Sequence, residues 1–180
     1  MEKLKKLEEI HSPDTRNIYW VVINLETDKH RKLCLEDIYK MVESIQLHKN
    51  VPDDIKSQFN IARNLAIYSW FSYSFHQISD LKAFSTLEYA LRKIYRGQKG
   101  SFKNLIAKAV SDNLIKDLGF SHINNPSKDN NCQEYSKRLP KLMPKLRNDL
   151  AHGSNTLDNT SIMNLRICAD FINQLFKRRN

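Results

Sequence analysis

The stretch from Ser79 to Tyr95 reads SDLKAFSTLEYALRKIY, and it carries the pattern on which the fold prediction rests. Its apolar residues recur every three or four positions, which is the spacing of one face of an α-helix. Ser79 and Asp80 stand directly before this stripe and are residue types that commonly cap a helix N-terminus. The pattern predicts a helix to about Tyr95, with these residues on its inner face: Leu81, Phe84, Leu87 or Glu88, Leu91 and Ile94 or Tyr95.

Glu88 interrupts the apolar stripe, seven residues after Leu81 and seven before Tyr95. A carboxylate at an inner position is costly unless it has a partner. Two interpretations stay open. Either Glu88 lies at the edge of the stripe and pairs with Arg92 one turn later, or it points inward and supports a polar site elsewhere in the chain.

The rest of the chain continues the helical pattern, because only four glycines interrupt 180 residues and the apolar positions between them keep helical spacing. We therefore predict an all-α helical bundle. Further helices are expected over 33–47, 53–76, 101–118 with Gly119 as the stop, from near Pro144 to near Gly153, and over about 158–177. A polar loop is expected over 121–133.

A chain of 180 residues is most simply one domain. We divide residues 1–180 into an N-terminal helical extension, 1–50, and a helical core, 53–180. Within the extension, Tyr19 to Ile23 reads YWVVI, where a strand competes with a helix. The prediction favours additional N-terminal helices, and therefore a helix at this point.

Composition narrows the classes of function. The longest apolar run, Tyr19 to Ile23, is far shorter than the ~20 residues of a membrane-spanning helix. The charged N-terminus lacks the apolar segment of a signal peptide. We therefore expect a cytoplasmic protein without a membrane partner. Three cysteines without a CxxC pair and six histidines without a pair at helical spacing predict no metal and no cofactor. The formal net charge of +9 favours an anionic partner such as nucleic acid.

The densest chemistry lies in Leu146 to Gly153, which reads LRNDLAHG. Arg147 supplies a phosphate-binding guanidinium, Asn148 a hydrogen-bonding amide and His152 an imidazole, a group that can give and take a proton. The string resembles the defining motif of the HEPN superfamily (higher eukaryotes and prokaryotes nucleotide-binding), in which an Arg, favourably followed by Asn, Asp or His, precedes a His by four to six residues. Helices before and after the motif are also expected of that family.

The resemblance implies an endoribonuclease that works without a metal, as a toxin or as an antiviral, abortive-infection effector. It implies that His152 transfers the proton, that Arg147 binds the scissile phosphate of single-stranded RNA, and that Asn148 positions the phosphate or the imidazole. Glu88 is our candidate for polar support of this motif. Family members usually dimerise so that two motifs form a composite site, and an antitoxin protein is a further expected partner. Toxins paired with a nucleotidyltransferase antitoxin often have Tyr two residues after the His, whereas this chain has Ser154.

Between Lys137 and Arg147 the chain has five basic residues and no acidic one. Neutralising phosphates is the main source of affinity for nucleic acid, so we expect four of them to bind RNA beside the motif: Lys137, Arg138, Lys141 and Lys145. The alternative to a ribonuclease is a non-catalytic HEPN-like module that binds RNA, a nucleotide or a partner protein, because many members of the family have no nuclease role.

Overall fold

In a computed structural model, which describes residues 3–24, 26–123, 133–153 and 160–177, the chain is mostly helical, so the expected helical class is confirmed. The described part also contains one two-stranded sheet. In chain order the elements are β1 (Val21–Asn24), β2 (Lys29–Lys32), α1 (Leu35–Glu43), α2 (Asp53–Tyr68), α3 (Phe75–Ile94), α4 (Phe102–Ser111), α5 (Leu139–Ala151) and α6 (Ser161–Leu175). Short 3-10 turns occur at Leu7–Glu9, Asn17–Tyr19, Asp117–Gly119 and Ser136–Arg138.

Helix α3 is the centre of the bundle, because it packs against α2, α4, α5 and α6. Its apolar stripe is buried as the sequence predicts, with Phe84, Leu87 and Leu91 almost without solvent contact. The helix begins earlier than the stripe suggests, so Ser79 and Asp80 are not caps but buried residues inside it. Ser79 Oγ donates to the carbonyl of Ala62 on α2 at 2.9 Å, and this bond satisfies a hydroxyl that the sequence pattern assigned to a helix end.

The break between α2 and α3 lies at residues 69–74, so the prediction of one helix over 53–76 is wrong. The N-terminal segment occupies the break. Asp14 N donates to the carbonyl of Trp70 at 2.8 Å, and the Asp14 carboxylate accepts from the Tyr73 N–H at 2.9 Å. Burial by itself would raise the pKa of Asp14, but hydrogen bonds from Arg16 and Tyr73 hold it well below its usual range. Helix α2 ends here because Asp14, which is distant in sequence, binds backbone groups of residues 69–74. This segment contains neither Gly nor Pro.

The N-terminal extension is a β-hairpin followed by α1, so the prediction of N-terminal helices alone is wrong, including a helix at Tyr19 to Ile23. Strand β1 pairs with β2 antiparallel, with Val21 opposite Lys32 and Ile23 opposite His30. Two β-branched valines and an isoleucine favour a strand once a partner is present. The hairpin is joined to α1 by Arg31, whose guanidinium donates to both carboxylate oxygens of Asp37 at 2.5 and 2.6 Å.

Helix α4 ends at Ser111, earlier than the predicted stop at Gly119. Asn113 adopts a left-handed conformation with φ of +57°, and the N–H groups of Asn113 and Leu114 return to the carbonyls of Val110 and Ala109 at 3.1 and 3.0 Å. These two bonds form a Schellman motif, for which Asn is the most suitable residue after Gly. At Gly119 a Cβ would overlap the far end of the Gln174 side chain on α6, whose Oε1 accepts from the Lys116 N–H at 2.8 Å, so a larger residue would displace that side chain.

Helix α5 carries the Arg–His motif and begins at Leu139, five residues before the predicted start near Pro144. Pro140 is in the first turn, where its missing N–H is harmless, but Pro144 lies inside the helix. Leu139 and Met143 are both 2% exposed, and their burial offsets the cost of the internal proline. The Asp117 carboxylate accepts from the N–H groups of Tyr135 and Ser136 at 2.9 and 2.8 Å, which fixes the approach to the helix.

Helix α6 agrees with the predicted C-terminal helix over the described residues, and its inner residues Leu165, Cys168, Ala169 and Ile172 are buried. Most of the predicted polar loop, 124–132, lies outside the described residues, as does Ser154.

We expect Pro144→Ala to raise the free energy of unfolding by about 1–2 kcal/mol, because alanine restores the helical bond to the Pro140 carbonyl and outweighs the freedom that the unfolded chain gains. Urea denaturation followed by circular dichroism measures this. The matched control, Pro140→Ala, restores no intrahelical bond and should lower stability by up to about 1 kcal/mol. Equal effects of the two substitutions would contradict the assignment of Pro144 to the helix interior.

Candidate functional site

Arg147 of the motif points from α5 towards the neighbouring helices α3 and α4. Its Nη2 donates to Glu88 Oε2 on α3 at 2.7 Å, and its guanidinium carbon lies 5.7 Å from the centroid of the Phe102 ring on α4. The side chain is 30% exposed, and its Nε is buried without a protein acceptor among the described residues. The guanidinium is therefore held in one orientation by a charged partner and an aromatic ring.

Glu88 binds two arginines at once. Besides Arg147 on one oxygen, its Oε1 accepts from Arg92 Nη2 at 2.6 Å. Both interpretations drawn from the sequence therefore occur together, since Glu88 pairs with Arg92 along α3 and also contacts the motif. The carboxylate is only 17% exposed, and two charge-assisted hydrogen bonds offset the cost of removing it from water.

His152 is the C-terminal capping residue of α5, and it is exposed. Its N–H donates to the carbonyl of Asn148 at 2.9 Å, and Gly153 ends the helix with φ of +80°, a conformation that favours glycine. Within the described part of the chain, no hydrogen bond joins the imidazole to Arg147, Asn148 or Glu88. The structure thus brings Glu88 to Arg147 but does not bring His152 to either of them.

The exposed face of α5 carries the predicted RNA-binding lysines. Lys141, Lys145, Asn148 and His152 are all exposed and follow each other at intervals of four, three and four residues. This is the spacing of one helix face, so these four residues, which we call the α5 stripe, form a line along the helix. Lys137 and Arg138 are also exposed and lie in the 3-10 turn before α5.

Arg147 and the α5 stripe face different directions. Arg147 follows Lys145 by two positions and precedes Asn148 by one, which on a helix are rotations of about 200° and 100°. An anion bound by Arg147 therefore approaches from the side where α5 meets α3 and α4.

Two residues of the site were missed as site residues by sequence reasoning. Arg92 was weighed only as a partner for Glu88, although the interval of four residues made the contact predictable. Phe102 was assigned to the core, and its ring is indeed 2% exposed while also contacting Arg147. A contact between α4 and α5 has no local signal in the sequence.

Across the described ranges, no group of three or more His, Cys, Asp or Glu side chains is placed to hold a metal ion. No described helix combines the length and the apolar character that crossing a membrane requires.

The chain matches no family model, no curated protein and no solved structure.

We expect Glu88→Ala and Arg147→Ala to be coupled in their effect on stability. Glu88→Ala leaves the partly buried Arg147 guanidinium without its carboxylate, and Arg147→Ala leaves Glu88 with Arg92 as its one charged partner in place of two, whereas the double substitution removes both charges. The loss for the double variant should therefore be smaller than the sum of the single losses by about 1 kcal/mol. Urea denaturation of the four proteins measures the difference. In the control cycle, Glu88→Ala with Lys141→Ala, the losses should add within about 0.5 kcal/mol, and additivity in both cycles would contradict the ion pair.

Proposed function

We propose that this protein is a metal-independent endoribonuclease of the HEPN type that cleaves single-stranded RNA and acts as a toxin or antiviral effector. One observation supports this best: the motif arginine, Arg147, is oriented by Glu88 and Phe102, while His152 ends the same helix in an exposed position. The carboxylate and the aromatic ring hold the guanidinium in one orientation before a ligand binds.

The reaction needs three functions around one phosphate. A base takes the proton of the ribose 2′-hydroxyl, whose oxygen then bonds to phosphorus. A cation stabilises the charge that develops on the phosphorus oxygens. The bond from phosphorus to the 5′-oxygen breaks, and an acid gives that oxygen a proton. The products are a 2′,3′-cyclic phosphate end and a free 5′-hydroxyl, and no electron acceptor or donor is consumed.

In this proposal His152 performs the proton transfer and Arg147 binds the scissile phosphate. A guanidinium has five N–H donors, and the described contacts of Arg147 use one of them on Glu88, so donors remain for phosphate oxygens. Glu88 reduces the positive charge of the site but fixes the plane of the guanidinium, which lowers the entropy lost when the phosphate binds.

The α5 stripe is the proposed track for the RNA backbone. Lys141 and Lys145 supply phosphate contacts, Asn148 can donate to a phosphate oxygen or accept from the imidazole, and His152 stands at the end of the track. Lys137 and Arg138 extend the positive surface beyond the start of α5. An antitoxin protein with an acidic surface would complement the same residues and block access to them.

One chain offers a single motif histidine, whereas the reaction uses a base and an acid. We therefore include a homodimer in the proposal, with the two motifs facing each other across a two-fold axis so that each site draws on both chains. The net charge of +9 on each chain opposes this association, so the dimer should tighten when RNA or phosphate is bound and loosen at low salt.

A non-catalytic module that binds RNA, a nucleotide or a partner protein is the second candidate. The observation that favours it is the position of His152, whose imidazole has no orienting side chain among the residues it was expected to meet. Such a module would keep the α5 stripe for binding, and it would leave bound RNA intact.

The purified protein is expected to cleave single-stranded RNA in the presence of EDTA, and His152→Ala should lower the rate by at least about 100-fold because the proton transfer is lost. Cleavage is measured on a fluorescent oligonucleotide, and the melting temperature checks the fold of the variant. Lys141→Ala and Lys145→Ala are the matched controls, which should weaken RNA binding and its salt dependence with little change in the rate at saturation. Cleavage that starts only after divalent metal is added would refute the mechanism, and intact RNA bound to the parent protein would favour the second candidate.

Mixing the inactive variants Arg147→Ala and His152→Ala is expected to restore part of the activity, because mixed dimers contain one site with both wild-type groups if each site draws on both chains. Activity is measured as a function of the mixing ratio and should be highest near equal amounts. Sedimentation of the same samples should show a species of twice the chain mass. A protein that stays monomeric while it cleaves RNA would exclude the composite site and leave Arg147 and His152 as candidates within one chain.

A further inference from the structure

We propose that Arg92 is a second phosphate-binding residue, which contacts the RNA backbone beside the phosphate held by Arg147, with Glu88 positioning both guanidinium groups. The inference rests on the proposed function, since it names a further group of the same site. The Glu88 carboxylate contacts both arginines: Oε1 accepts from Arg92 Nη2 at 2.6 Å and Oε2 accepts from Arg147 Nη2 at 2.7 Å. The two guanidinium groups are therefore neighbours on two different helices.

The charges around Glu88 do not cancel. Two arginines share one carboxylate, so the three side chains keep one net positive charge. At the next positions along α3, which contact α2, the balance is different, because Lys93 pairs with one carboxylate, Asp54, at 2.6 Å, and Asp54 also accepts from the Tyr89 hydroxyl at 2.7 Å. An ion pair whose only role is to stabilise α3 needs no more than one basic and one acidic side chain. The surplus positive charge around Glu88 is available to bind an anion.

Arg92 is placed to meet a ligand from solvent. Its side chain is 49% exposed, against 30% for Arg147, and Glu88 is its one ionic partner within the described residues. The remaining N–H groups of its guanidinium can donate to two oxygens of one phosphate, a geometry for which arginine is better suited than lysine. Arg147 thus forms the inner contact and Arg92 the outer one.

One effect opposes the proposal. Arg92 lies in the last turn of α3, and the negative end of the helix dipole disfavours an anion there. This end carries about half an elementary charge and its influence falls off within one turn, so the net positive charge of the two arginines and Glu88 outweighs it.

The test is a double-mutant cycle read out by RNA binding. The ligand is a fluorescent single strand with 2′-O-methyl riboses, which cannot be cleaved by attack of the 2′-hydroxyl, and the dissociation constant is measured by anisotropy at several salt concentrations. We expect Arg92→Gln to weaken binding roughly tenfold and to lower the salt slope by about 0.7, the value for one lost contact to a single strand. The same loss is expected when Arg92→Gln is made in the Glu88→Gln background, because a direct contact to phosphate does not need the carboxylate. Arg92→Lys should bind more weakly than the parent and more tightly than Arg92→Gln.

The control is Lys40→Gln, which removes one positive charge from an exposed residue of α1 and should change the dissociation constant less than twofold. If Arg92→Gln has no effect in the Glu88→Gln background, Arg92 acts only through Glu88 and the proposal is overturned. Equal losses for Arg92→Gln and Lys40→Gln would overturn it too, since net charge alone would then explain both. Binding with the expected Arg92 effect but without cleavage of ordinary RNA refutes the ribonuclease and keeps this site, whereas absence of RNA binding refutes both.

Discussion

The Glu88 carboxylate, held between Arg92 and Arg147, is the interaction on which the arrangement of the site depends. A carboxylate that is only 17% exposed is tolerated because both of its oxygens accept charge-assisted hydrogen bonds. One arginine lies on its own helix and the other on α5, so the bonds that stabilise the charge also fix α5 against α3. The attachment sets the direction of Arg147, and together with the burial of Leu139 and Met143 it leaves the α5 stripe facing solvent.

Periodicity in the sequence was enough to predict the helices that build the core, and above all the buried stripe of α3. It also predicted that Glu88 was unusual, because a charge at an inner position needs a partner. The pairing with Arg92 could be predicted from an interval of four residues, but the contact with Arg147 could only be guessed, since 59 residues separate the two. A contact of that kind is set by packing, and local patterns do not encode which helices become neighbours.

Three of the wrong helix boundaries share one physical cause, whereas the early end of α4 is a local cap at Asn113. Ser79 and Asp80 have the chemistry of caps, but the same groups can be satisfied inside a bundle, as Ser79 is by the Ala62 carbonyl. At residues 69–74 the chain leaves the helix because Asp14 binds the backbone there, and within α5 the chain continues past Pro144 because Leu139 and Met143 are buried. In each case a contact distant in sequence or the burial of a neighbour outweighed a local signal. The hairpin follows the same rule, since a strand at Val21 needs a pairing partner that a single segment cannot reveal.

The same ion pair sets a limit on how the site can work. Glu88 orients Arg147 before any ligand arrives, but it also cancels part of the charge with which Arg147 would attract the phosphate in the proposed reaction. A site built in this way gains little from Arg147 alone and needs further cations that no acid neutralises. Among the described residues Lys141 and Lys145 on the α5 stripe have no carboxylate at ion-pair distance, and on the other side the two arginines that share Glu88 keep one positive charge in surplus. In the proposed function a bound strand contacts both groups, and His152 ends the α5 stripe that carries one of them.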